Sequence, residues 1–350
     1  GGTGGHIIPA VIVAKALKET GFNAIVVGDS GCSDKYFKNT NIEHINIRTG
    51  KKFTSIKGLY NIILGFFQSI FLITKYKPEA IIGFGSYATF PLLAAALLFR
   101  KRIVLHEQNA YMGKVNKVFG KYAKVIMTAY NEIYGIRFED SKKIKMVGNP
   151  VKREIVELHN KKYKYPEGNE KIHIFIVGGS GGANFLSHKL ILAFENLTKE
   201  EKKRIKITQQ CREEDLDFVR SFYEEKGIET ITSSFFTNIP EILSSCQLVI
   251  SRAGASATAE FAMAGIPMIL LPLSVRGNNR QIVNAEFFAK NSSAILVEEK
   301  DFDPKKFKTM LFELIENRKK LEDMSNKAKE KAILNAENDI VSVIKEVVNN

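Results

Sequence analysis

Between Ser251 and Gln281 the chain reads SRAGASATAEFAMAGIPMILLPLSVRGNNRQ, and this stretch constrains the fold more than any other. It follows the apolar run Leu248-Val249-Ile250, which predicts a buried strand. A turn at Gly254 comes next, and from about Ser256 a small-residue segment predicts a helix. A second apolar run, 267–272, predicts another strand, and a polar Gly/Asn loop follows it. Strand, Gly turn, helix and strand in that order put a helix N-terminus at the end of a buried strand. Such a terminus presents backbone N–H groups and a partial positive charge, which suits a phosphate. Glu260 lies one turn along on the face of Ser256, where a carboxylate can accept hydrogen bonds from a ribose. A capping box would be the bland alternative, but it needs Ser and Glu three apart, and these are four apart. Taken alone, the pattern also describes a buried βαβ unit with no ligand.

At 350 residues the chain is long enough for two domains with full cores. Cys32, Cys211 and Cys246 stand apart, with neither CxxC spacing nor a His cluster, so neither a disulfide framework nor a zinc site is expected, as befits a reducing cytosol. Charge says more. Residues 1–150 hold 21 Lys/Arg against 9 Asp/Glu, whereas residues 151–350 hold 30 against 29, so nearly all of the net +13 sits in the first half. A one-sided basic domain calls for an anionic partner: nucleic acid, a membrane surface or a charged substrate.

The chain opens GGTGGHIIPA, without Met. A Gly-rich phosphate loop normally follows a strand, so the expectation is that this sequence starts late and lacks its first strand. Gly2, Gly4 and Gly5 allow close backbone approach, and a helix is expected over 9–20. His6, at the loop–helix junction, is either a base or a packed ring. Strands are expected at 24–27, 45–47, 80–83, 103–105, 125–127 and 144–147. Residues 59–74 predict a helix apolar on nearly every side; at about 16 residues it falls short of the ~20 that span a bilayer. It reads as a core helix or as one pressed on a bilayer, with Ile62, Ile63, Phe66, Phe67 and Ile70 inserted and Lys57, Lys75 and Lys77 at the rim. Nucleic acid is not expected: no basic helix with interleaved aromatics and no zinc-finger, RNP or KH signature occurs.

His106-Glu107-Gln108-Asn109 ends a strand, which is where open α/β sheets place ligands, and 148–151 reads as a linker. A second unit starts with a strand at 172–177, a loop Gly178-Gly179-Ser180-Gly181-Gly182 and a helix at 185–196. It continues with a strand at 205–208, a helix at 213–226 and a strand at 230–233 before the central stretch; after Gln281 helices run to 331, with a last one at about 338–348. The fold class expected is α/β: two doubly wound, Rossmann-like domains facing a cleft. The expected domains are 1–150, 151–335, and a C-terminal helix at 336–350 packing back on the first. Both Gly loops have GG-x-GG spacing, not G-x-G-x-x-G, which argues against a dinucleotide dehydrogenase.

Six blocks carry a resemblance across essentially the whole chain: GGTGGHIIPA at 1–10, GFGSYATFP at 83–91, HEQN at 106–109, VGNPV at 147–151, VGGSGGAN at 177–184 and SRAGASATAEFAMAGIPMILLPL at 251–273. Together they resemble the MurG family, the membrane-associated glycosyltransferases of bacterial peptidoglycan synthesis, within the GT-B class. The resemblance implies inverting transfer of GlcNAc from UDP-GlcNAc to the C4 hydroxyl of MurNAc in lipid I, giving lipid II. It implies no tightly bound cofactor and no metal, UDP-GlcNAc and lipid I as partners, and a peripheral place on the cytoplasmic face of the inner membrane against anionic lipid. Cell-wall and division proteins would be further partners.

Carried over position by position, the resemblance implies that Ala255, Ser256, Ala257 and Thr258 hold diphosphate and sugar, Glu260 the ribose and Gln281 the GlcNAc. Phe236 would read the uracil with its backbone and Ser180 would contact phosphate, while Thr3, Gly4, Gly5 and Asn109 would meet the sugar. Where the family usually has Arg after GNPV, this chain has Lys152, then Arg153; lysine neutralises diphosphate but gives no planar bidentate contact. Arg280 stands where His or Gln is common. For the base the resemblance favours His6, with Glu107 second, and Ser86 and Tyr87 are candidate acceptor contacts. Another GT-B lipid glycosyltransferase, a nucleotide-sugar epimerase or a non-catalytic membrane protein of the same fold are the alternatives.

Overall fold

The structure is a computed structural model that describes residues 4–29, 36–37, 40–50, 55–168, 170–179, 183–273 and 279–349. Two of the expected site residues, Thr3 and Ser180, lie outside that set. The chain divides into two compact units, Gly1–Val151 with Asn335–Asn350, and Lys152–Leu334.

Unit 1 begins with α1 (Gly4–Glu19), which buries Ile7, Val11, Val13, Ala14 and Leu17. The helix starts at Gly4 and not at residue 9, so the glycine loop supplies its first turn. Pro9 falls inside it and forgoes the backbone bond to the Gly5 carbonyl. β1 (Ile25–Gly28) pairs in parallel with β2 (Glu43–Asn46). A separate parallel sheet runs β3 (Ala80–Gly83), β4 (Arg102–Glu107), β5 (Val125–Thr128), β6 (Ile144–Met146). Between β1 and β3 lies an apolar cavity of about 420 Å³, lined by Val13, Leu17, Val26, Ile82 and Ile344 among others. The C-terminal helix (Ala336–Asn349) lays Ile340, Val341, Ile344 and Val347 against Ile7, Val11 and Leu17 of α1.

α2 (Ile56–Tyr76) has 21 residues, five more than expected, and Ser55 caps it by accepting the Gly58 N–H. By length and composition it could cross a membrane. Its inner stripe, Gly58, Ile62, Gly65, Ser69, Leu72 and Ile73, is buried, and the helix packs against α3 (Phe90–Leu98). Gly65 is required there: a Cβ would lie 1.8 Å from the Arg48 carbonyl oxygen. Ile62 therefore faces the core, contrary to the expected inserted set, because it falls on the stripe that meets the rest of the unit. Phe66 and Ile70 are half-buried against the core beneath. The outward apolar stripe is Ile56, Leu59, Tyr60, Ile63, Phe67 and Phe71.

Unit 2 is built on one parallel sheet of β7 (Ile172–Val177), β8 (Ile205–Gln210), β9 (Thr230–Ser233), β10 (Leu248–Ser251), β11 (Met268–Leu270) and β12 (Ala294–Leu296), in spatial order β12-β11-β10-β7-β8-β9. All six residues of β7 are buried, as suits a central parallel strand covered on both faces. The helix expected over 185–196 is instead a short α-helix, Asn184–His188, followed by a 3-10 turn, Leu190–Phe194. The chain runs β7, β8, β9 to one side and returns on the other at β10. The strand order thus reverses between β7 and β10, and open sheets bind ligands in the crevice at such a point.

Candidate active site

At that switch point, the turn after β10 leads into α4 (Ala255–Ala264), capped at its start by Gly254, which has no side chain to cover the terminus. A Cβ at Gly254 or at Gly179, after β7, would meet nothing within 4 Å, so there is room in front of the helix. Three side chains hold the turn. Ser251 Oγ donates to the Val177 carbonyl at 2.8 Å. Arg252 donates to the Leu271 carbonyl at 2.8 Å and pairs with Glu299, its guanidinium over the Phe185 ring. Asn284, on α5 (Arg280–Lys290), donates to the Ala253 carbonyl at 3.1 Å. None of these three was singled out from the sequence; the only signal was a polar residue beside an apolar run.

Ser256 and Ala257 are half-buried in the first turn of α4. Thr258 is different: it is fully buried, and its hydroxyl is turned back on the helix, donating to the Gly254 and Ala255 carbonyls. Its hydroxyl proton is thus committed to the helix's own first turn. Glu260 lies one turn along, where burial raises its pKa to about 7 and the Lys152 ammonium pulls the other way. Lys152 itself is exposed at the start of unit 2. The Phe236 ring meets Phe175 of β7 edge-on, centroids 6.1 Å apart. Gln281 Oε1 accepts the Leu273 N–H at 2.8 Å, so the amide is anchored through its oxygen.

In unit 1 the HEQN block is less open than its polarity promised. His106, Glu107 and Gln108 are buried, and only Asn109 is half-exposed. Glu107 accepts four bonds: from Asn109 N at 3.1 Å, Asn109 Nδ2 at 3.0 Å, Gly113 N at 2.8 Å and Asn116 Nδ2 at 2.9 Å. The carboxylate braces the loop and holds the Asn109 side chain. His6, half-buried near the start of α1, has Nδ1 2.8 Å from the Phe84 carbonyl and 3.1 Å from Gln108 Oε1. Both partners accept, so Nδ1 carries the proton and Nε2 the lone pair. Burial lowers the His6 pKa below 6.5, opposed by Glu107. Gly4 is buried and Gly5 exposed beside it. Ser86 holds φ +71, and the Tyr87 hydroxyl donates to Asp29 Oδ2 at 2.8 Å.

Residues 1–128 match the Glycosyltransferase family 28 N-terminal domain and residues 173–340 the Glycosyltransferase family 28 C-terminal domain. Fold and matches together define a two-domain nucleotide-sugar glycosyltransferase of the GT-B class. A relative from Wolbachia sp. subsp. Drosophila simulans (strain wRi), UDP-N-acetylglucosamine--N-acetylmuramyl-(pentapeptide) pyrophosphoryl-undecaprenol N-acetylglucosamine transferase, is 36% identical over 98% of this chain and 96% of its own length. The solved structure of Acinetobacter baumannii MurG covers 98% of this chain and 97% of its own, at 26% identity and a TM-score of 0.76. The chain belongs to the MurG family. A UDP-GlcNAc 2-epimerase from Neisseria meningitidis, solved bound to UDP-GlcNAc, aligns with a TM-score of 0.66 at 15% identity and shares the fold alone.

Proposed function

We propose that this protein transfers GlcNAc from UDP-GlcNAc to the C4 hydroxyl of MurNAc in lipid I, with inversion, making lipid II. The observation that carries the reading is the open turn at Gly254, set at the strand-order reversal with Glu260 one turn along its helix. Phosphate oxygens would meet the N-terminus of α4, where backbone N–H groups and the helix dipole favour negative charge, with Lys152 adding a full charge. The ribose diol would donate to Glu260, the Phe236 backbone would meet the uracil, and the Gln281 amide would donate to a sugar hydroxyl.

Chemically, the acceptor oxygen forms a bond to the anomeric carbon as the bond from that carbon to the diphosphate breaks. The hydroxyl proton passes to His6 Nε2, and the electron pair leaves with UDP, whose growing charge the α4 terminus and Lys152 stabilise. Asn109, held by Glu107, contacts the sugar, and Ser86 and Tyr87 lie on the acceptor side. The outward stripe of α2, with Lys57, Lys75 and Lys77 exposed around it, seats unit 1 peripherally on the cytoplasmic face of an anionic membrane, where a polyprenyl-anchored acceptor is held.

Incubation of labelled UDP-GlcNAc with a short-chain lipid I analogue tests the reading. Label in a lipid II product is expected. Epimerised sugar nucleotide without transfer, or saturable UDP-GlcNAc binding with no turnover, would overturn it.

A further inference from the structure

His6 is the first member of a hydrogen-bonded series that runs through two buried side chains to the main chain. Its Nδ1–H faces Gln108 Oε1 at 3.1 Å as well as the Phe84 carbonyl. Gln108 Nε2 donates to His106 Nδ1 at 3.0 Å and to the His106 carbonyl at 3.2 Å. His106 Nε2 is 2.9 Å from the Gly148 carbonyl, and Asn149 Nδ2 holds the Gln108 carbonyl at 3.0 Å. Gln108 and His106 are 1% and 0% exposed, so water does not compete for either.

Only one arrangement of protons satisfies the series. The Gly148 carbonyl can only accept, so His106 carries its proton on Nε2 and offers a lone pair at Nδ1. That lone pair, together with the His106 carbonyl, requires the NH₂ side of the Gln108 amide and forbids its flip. Gln108 Oε1 is then left to face His6, whose proton must sit on Nδ1. The base nitrogen, Nε2, is the consequence, and it accepts no hydrogen bond among the described residues.

We propose that Gln108 is the positioning residue of the His6 base, and that His106 with the Gly148 carbonyl sets the direction of the amide. The proposal rests on the transfer reading for its kinetic consequence, though not for its structural one. Because the Phe84 carbonyl also favours Nδ1–H, loss of Gln108 should lower turnover by about tenfold, the order expected for one neutral hydrogen bond, and less than loss of the base itself.

The test has two arms. In the wild-type chain labelled with ¹⁵N histidine, the His6 ring, assigned by its absence from His6→Ala, should show the Nδ1–H tautomer; in Gln108→Met it should show a mixture. Kinetically, Gln108→Met should reduce kcat about tenfold with KM for UDP-GlcNAc within twofold. His106→Asn, whose Oδ1 can replace the lost Nδ1 acceptor, should retain more activity than His106→Leu. Wild-type protection of the β4 and β5 amides against hydrogen exchange in each variant checks that unit 1, which holds all three residues, is folded. An Nε2–H tautomer at His6 in the wild type overturns the proposal, as does Gln108→Met with wild-type kcat and an unchanged spectrum. The expected tautomer in a protein that transfers no GlcNAc would remove the functional reading and leave the hydrogen-bonded series standing.

Discussion

Burial acts on His6 and Glu260 in opposite directions on the pH scale and to the same end: each is held nearer its neutral form. For His6 that favours the neutral ring, the form the proposed role as base requires. His6→Ala should lower kcat roughly 10²–10⁴-fold with UDP affinity nearly unchanged, and the acid limb of wild-type kcat should lie below pH 6.5, because the lowered pKa must be passed before the base is lost. Glu260 makes a separate limb. On the proposed reading ribose hydroxyls donate to the ionised carboxylate, so UDP binding should tighten about tenfold from pH 6 to pH 8 and release a proton, measured by calorimetry in buffers of different ionisation heat. The raised pKa also means that the fold favours the protonated group, a contribution complete below about 4.5 and lost as pH rises through about 7. Glu260→Gln should therefore melt higher than wild type at pH 8 while binding UDP more weakly and without pH dependence; a pH-independent wild-type affinity would refute the assignment. Both residues were legible in the sequence as types in place. What was not legible is the environment that tunes them, since Gln108 reaches His6 from 102 positions away.

At the scale of elements, α2 shows what composition hides. An all-apolar segment gives no periodicity from which to separate core from surface, so the helix was readable but Ile62 was assigned to the wrong face. Its length was underestimated because the ends, Ile56-Lys57-Gly58 and Lys75-Tyr76, are not uniformly apolar. Phe67 and Phe71, 61% and 63% exposed, touch little of the fold. Phe67→Asp and Phe71→Asp should each leave the melting temperature in place and weaken sedimentation with anionic vesicles roughly tenfold or more, given the apolar burial lost. Equal binding by the double variant would remove α2 from the docking surface. The turn at Gly254 is where the sequence puts it, whereas α1 begins inside the first glycine loop because Gly4 and Gly5 enter the helix.

Taken whole, the alternation of strands and helices is enough for two parallel-sheet units, because most strands are short, apolar and bounded by turn residues. β12, three residues between helices, falls where only helix was expected. The order of strands, and hence the position of the crevice at β7 and β10, follows from pairings between residues far apart, such as Val249 with Phe175, which no local pattern encodes. The charge division is a property of the molecule and not of any element. With the excess of Lys/Arg confined to residues 1–150, vesicle binding should fall with the anionic lipid fraction, and 1 M salt, where screening acts over about 3 Å, should release most of the protein. Retention at 1 M salt would mean that apolar insertion alone suffices.

The cavity beside β1 and β3 bears on how this chain breathes. Among the described residues neither strand has a ladder partner on that side, so every second amide there lacks a carbonyl to hold its hydrogen. Deuterium should enter β1 and β3 well before it enters β4 or β7, which are paired on both edges.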